Sequence, residues 1–114
     1  MGRRTAALVI AGALAALAMA CAGEEAPRPI AVEGRVLWVH NLTGAAWFDV
    51  EVWLNTHYRV TRSRMPAGER FGIPLDSFVA GYGQRFSPAR QVVQRIEVRA
   101  RTASAGPVRL TWGP

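Results

Sequence analysis

From Ile30 onward, apolar and polar residues alternate along most of the chain. A period of two is the pattern of strands with one buried face. The first strand is expected over Arg35 to His40, with Ile30 and Val32 leading into it. Asn41-Leu42-Thr43-Gly44 reads as a turn, because Asn and Gly accept the backbone angles that turns require. Trp47 to Leu54 alternates most cleanly: Phe48, Val50, Val52 and Leu54 on one face, Trp47, Asp49, Glu51 and Trp53 on the other. Asn55-Thr56-His57 turns the chain and Tyr58 to Thr61 returns it. Met65 to Glu69 is a second turn. Phe71, Ile73 and Leu75 share a face, but Pro74 has no amide hydrogen, which makes this an edge or bulged strand. Asp76 to Phe78 and Pro88 to Gln91 read as short helical turns, and Gly81 to Phe86 as a loop or tight hairpin. Val92 to Thr102 is expected as the longest strand, with Ile96, Val98 and Ala100 inward and Arg95, Glu97, Arg99 and Arg101 outward. Val108, Leu110 and Trp112 close the core while Arg109 and Thr111 face out, and the short connection Ala103–Gly106 pairs these last two strands. Six or seven short strands with turns about every ten residues predict an all-β fold, a small antiparallel β-sandwich, with a small barrel as the alternative.

The first twenty residues break this pattern. Met1 to Arg4 carries two arginines, and Thr5 to Ala20 is a run of sixteen residues without a charge. A membrane-spanning helix needs about 20 apolar residues. The run ends in Ala18-Met19-Ala20, followed by Cys21, which is the only cysteine. Positive, then apolar, then small is the order of a cleaved secretion signal. Ala18-Met19-Ala20-Cys21 resembles the lipid-attachment site of bacterial lipoproteins. That resemblance implies cleavage before Cys21, acylation of its thiol, and an exported protein anchored at the periplasmic or extracellular face of a membrane. The same residues also read as an ordinary Ala-x-Ala site with plain secretion. An uncleaved N-terminal anchor and twin-arginine export through Arg3-Arg4 are further readings. An odd cysteine in an exported protein needs an explanation, and lipidation supplies one. The chain therefore divides into a signal peptide, 1–20, a flexible tether, 21–29, stiffened by Pro27 and Pro29, and a β-sandwich domain, 30–114. With one cysteine no internal disulfide is possible, so the fold stands on its core.

Charge changes the picture less. All fourteen basic residues are arginine, and the formal net charge is +6. An arginine-rich surface meets lipid phosphates, acidic glycans or nucleic acid. Export argues against nucleic acid and leaves the anchoring membrane, an anionic envelope component or an envelope protein as partners.

Catalytic chemistry finds little to stand on. His40 and His57 flank turns and meet only if the first two hairpins pack together, with no carboxylate spaced as a third ligand, so no metal site and no cofactor are expected. Ser63, Ser77, Ser87 and Ser104 read as turn residues, none within Gly-x-Ser-x-Gly. Asp49 and Glu51 share a strand face about 7 Å apart, a spacing seen in acid–base pairs but commoner on solvated strands. Gly81-x-Gly83 is too short for a phosphate loop. Two binding features remain: an arginine face of Arg95, Arg99, Arg101 and Arg109 for an anionic ligand, and the outward tryptophans Trp47 and Trp53 as interaction aromatics.

Asn41-Leu42-Thr43-Gly44, then Trp47 to Asn55, then Pro66-Ala67-Gly68-Glu69 resemble the immunoglobulin-like modules of bacterial envelope proteins, including the FxLYD type. Leu54-Asn55 stands where that type has Tyr-Asp. The resemblance covers about Val36 to Leu75 and implies an immunoglobulin-like sandwich that serves as an interaction or spacer module, with no catalytic residue. The expectation is a cell-envelope lipoprotein with a binding or structural role, and not an enzyme. An envelope enzyme or enzyme inhibitor would show a concave pocket with convergent polar groups. A subunit of a larger assembly would show an uncovered apolar patch around Trp47, Trp53 or Phe78.

Overall fold

The computed structural model describes residues 26–113; the signal segment 1–20, Cys21 and the rest of the tether up to Glu25 lie outside the described residues. Among the described residues eight strands follow in order: β1 (Ile30–Glu33), β2 (Val36–His40), β3 (Trp47–Leu54), β4 (Tyr58–Met65), β5 (Arg70–Pro74), β6 (Val79–Ala80), β7 (Ile96–Arg101) and β8 (Pro107–Trp112). A 3₁₀ turn, Leu75–Ser77, separates β5 from β6. The strands form two antiparallel sheets, a three-stranded one ordered β1-β2-β5 and a five-stranded one ordered β6-β4-β3-β7-β8. No ladder joins the sheets, so this is a sandwich and not a barrel. Leu37, Val39 and Ile73 from the small sheet meet Val50, Val52, Leu54, Ile96 and Val98 from the large one in a single core. Burying apolar side chains of this kind stabilises the fold by about 1.5–3 kcal/mol each.

Local chemistry sets the connections. Gly34 opens the two-residue β1–β2 loop at φ +60°, a turn whose twist suits paired strands. Pro74 ends β5, which is an edge strand as its missing amide hydrogen requires. The β7–β8 hairpin pairs from Ile96 with Trp112 to Arg101 with Pro107.

The register of β3 departs from simple alternation. Asp49 has φ +51°, and the pairing with β7 slips between Phe48 and Glu51, so that Asp49 and Val50 together oppose Ala100. This bulge inserts one extra residue and reverses which face the preceding side chains take. Trp47, expected outside, is 0% exposed in the core, while Phe48 lies on the outer face. Beyond the bulge the expected alternation holds, with Val50, Val52 and Leu54 buried.

Each end of the sandwich is closed by an asparagine side chain. The near end is where the chain joins the sheet, with the His40 N–H donating to the Pro29 carbonyl at 2.9 Å. It carries the connections 41–46, 66–69 and 102–106. Asn41, 0% exposed, donates through Nδ2 to the carbonyls of Ala45, Met65 and Pro66 at 2.8–3.2 Å. Its Oδ1 accepts from the Thr43 N–H and hydroxyl, and Thr43 Oγ1 accepts from the Trp47 indole N–H at 3.0 Å. The far end carries the turns 34–35 and 55–57 and the long segment 81–95. There Asn55 Oδ1 accepts the N–H groups of Gln94 and Arg95, and its Nδ2 donates to Val92 O. Val92 to Arg95 is thus not strand, as the sequence suggests, but backbone held by a side chain; β7 begins only at Ile96.

Candidate functional site

The outer face of the five-stranded sheet collects most of the residues with binding chemistry. Alternation in β7 and β8 puts Arg99 opposite Arg109, and Glu97 opposite Thr111, all pointing away from the core. On the other side of β7, Glu97 lies opposite Trp53 of β3, and Trp53 lies opposite Arg59 of β4. The face carries Arg59, Arg64, Arg95, Arg99, Arg101 and Arg109 against Asp49, Glu51 and Glu97.

Glu97 is the pivot of this arrangement. It is only 8% exposed although it lies on the outer face. Arg109 donates from Nε to Oε1 at 2.6 Å, and a terminal nitrogen of Arg99 sits 2.7 Å from Oε2. The hydrogen bond from Arg109 is the largest influence holding the Glu97 carboxyl below its ordinary range; burial opposes it, and Arg99 adds to it. Each carboxylate oxygen therefore fixes one guanidinium group. Both arginines keep most of their N–H donors free, since a guanidinium has five. Arg95 makes no ion pair among the described residues.

Trp53, Thr56, Arg95, Glu97, Arg99 and Arg109 line an open groove of about 280 Å³. Three guanidinium groups face one carboxylate there, an excess of two positive charges. The Arg59 guanidinium stands 5.2 Å from the centre of the Trp53 ring. The indole N–H of Trp53 is buried and has no hydrogen-bond partner among the described residues. An unpaired buried donor costs about 1–3 kcal/mol.

The sequence-predicted residues divide accordingly. Arg95, Arg99 and Arg109 come together around one groove. Arg101 stands apart, its Nε donating to Asp49 Oδ2 at 2.5 Å. Trp53 belongs to the groove, whereas the outward placement of Trp47 is corrected by the bulge at Asp49. Phe78, expected like Trp47 to mark an assembly patch if one existed, is also 0% exposed. Asp49 and Glu51 do not act as a pair: Asp49 holds Arg101, and Glu51 lies 3.8 Å from Arg59. His40 pairs across to Arg70 at the near end and His57 sits in the far-end turn, so the two histidines are separated by the length of the sheet. No group of three or more metal-ligating side chains forms among the described residues. Ser63 lies within β4, not in a turn.

One surface escaped the sequence reading. On the outer face of the small sheet, Trp38 lies between Ala31 and Gly72 in the cross-strand row. Its ring covers Gly72 so closely that a Cβ there would stand 2.7 Å from it, which explains the glycine. Arg70 stacks over the ring at 4.1 Å. Trp38, Glu33, His40, Arg70 and Trp112 border a groove of about 560 Å³ with residues 26–28. The signal was present in the sequence as a tryptophan opposite small residues, but the pairing partner is visible only once the register is known.

No protein-family model, curated protein or solved structure matches this chain.

Proposed function

We propose that this chain is a lipid-anchored binding module of the bacterial cell envelope, tethered through Cys21, whose five-stranded sheet takes an anionic group of an envelope component in the groove beside Trp53. The observation that carries this reading is the shared carboxylate. Glu97 holds Arg99 and Arg109 in place without using up their donors, and Arg95 adds a third, unpaired guanidinium. Pre-positioned arginines suit the planar, bidentate recognition of phosphate or carboxylate. The tethering half of the reading is supported by the order of residues from Arg3 to Cys21.

Two measurements test it. The intact mass of the protein extracted from its host membrane should equal Cys21–Pro114 plus acyl chains; a bare chain in the soluble fraction would refute the anchor. Binding of the full chain to heparin, used as a soluble anionic glycan, should weaken with salt and fall about tenfold for Arg95→Glu. The Arg95 guanidinium makes no ion pair among the described residues, and the backbone bonds of Arg95 to Asn55 do not depend on its side chain, so its reversal should leave stability unchanged. Equal binding by the variant would refute the groove.

A further inference from the structure

The two ends of the sandwich differ in chemistry as well as construction. At the near end, positions 41–46, 66–68 and 102–107 contain no charged residue. Their tips expose Leu42, 45% accessible, together with Pro66, Ala67, Ala103, Ala105 and Pro107. One residue behind the tips stand Arg64 and Arg101, which flank Phe48 with guanidinium-to-ring distances of 6.0 and 5.6 Å. The carboxylates nearby are engaged, Asp49 by Arg101 and Glu69 by Arg62, while Arg64 faces no carboxylate among the described residues.

We propose that this near end is a membrane-docking surface: the uncharged loop tips rest in the interface of an anionic bilayer, and Arg64 and Arg101 meet its phosphates. The inference rests on the reading of Cys21 as a lipid anchor for its choice of partner. Three observations support it. First, the chain joins the sheet at this end. Only seven residues, 22–28, separate Cys21 from Pro29, eight backbone steps with a reach of at most about 29 Å. An acylated Cys21 therefore keeps these loops close to the headgroups. Second, apolar tips backed by arginines and an aromatic ring match the layering of an interface, where apolar groups sit deepest and cationic groups reach outward to phosphate. Third, the loops are already fixed. Asn41 ties 41–46 to the Met65–Pro66 turn, and Trp47 ties Thr43, so little ordering entropy is lost on docking.

The far end has exposed apolar side chains too, Tyr82 and Val92, both 74% accessible. They lie in the segment that also exposes Arg85, Arg90 and Arg95, and the chain does not join the sheet there. The charge that opposes docking is Glu24-Glu25 in the tether.

The test uses the mature chain, residues 21–114, with Cys21→Ser, which removes any acyl group and leaves out the apolar signal segment, and vesicles of phosphatidylglycerol or phosphatidylcholine. Partitioning should favour phosphatidylglycerol. Leu42→Asp should weaken it about tenfold, with Ala103→Asp as a second tip variant. Arg64→Gln should weaken it about fivefold. Arg90→Gln, exposed at the far end and outside the groove, removes the same charge as Arg64→Gln and should leave it unchanged. On the vesicle, amide exchange should slow over 41–46, 66–69 and 102–106 and not over 55–57 or 81–92. Equal partitioning by both tip variants with native unfolding curves, or slowing confined to the far end, would overturn the proposal. Because this protein lacks acyl chains, failure here is distinct from failure of the anchor, which the mass of the native protein decides.

Discussion

Both ends of this sandwich are held by an asparagine, yet the two side chains sit in different surroundings. Asn41 is fully buried and bridges two connections that each cross between the sheets, satisfying three backbone carbonyls at once. Asn55 is only partly buried and fastens one loose segment, 92–95, to the tip of a hairpin. The difference shows where rigidity comes from in a small β fold. At the near end it comes from a buried polar group that cannot be lost without orphaning others. At the far end it comes from bonds that water can replace.

The largest effect expected from this contrast is on stability. Asn41→Ala should cost about 3 kcal/mol, because it strands buried carbonyls and the Thr43 hydroxyl that serves Trp47. Asn55→Ala should cost only about 1 kcal/mol, since solvent reaches its partners. Urea unfolding of the two variants measures both, and equal costs would erase the distinction between the ends. Hydrogen exchange sharpens it without mutation. Amides at 87–95 should exchange through local opening well before the bonded amides of Asn41 and Gly68, which are held around the buried Asn41. The smallest effect concerns Glu97, on the sheet between the ends. Its folded carboxyl titrates below the ordinary value of 4.5. The stability it contributes is therefore fully present above about pH 4.5 and is lost as the pH falls through the folded value. Glu97→Gln should flatten the acid limb of the stability curve below that pH and leave its shape above it unchanged.

The alternating residues made much of this legible in advance. Ile96, Val98, Ala100, Val108, Leu110 and Trp112 line the core side of β7 and β8 as their spacing requires, and that spacing also set Arg99 beside Arg109 on the outside. Period two carries this information because each strand residue takes the face opposite its neighbour. The same rule failed at Trp47. Nothing in the local sequence announces that Asp49 adopts a left-handed backbone, and a single such residue reverses everything before it in the strand. Val92–Arg95 failed for a related reason. Its composition suits a strand, but its hydrogen bonds go to the Asn55 side chain, thirty-seven or more positions away. The groove was half visible: its arginines lie on one predicted face. That Glu97 would fix two of them, and leave the Arg95 guanidinium without an ion pair and the Trp53 indole N–H without an acceptor among the described residues, depends on side-chain reach across strands.

The β1 and β8 strands run in the same direction, so the chain enters the sandwich at one end and β8 finishes at the other. A module anchored before Ile30 and gripped by a partner beyond Trp112 would be loaded along its length. The pull would slide β1 along β2 and β8 along β7, straining each ladder's hydrogen bonds together instead of one after another. The fold is thus suited to bearing tension applied between the start of β1 and the end of β8.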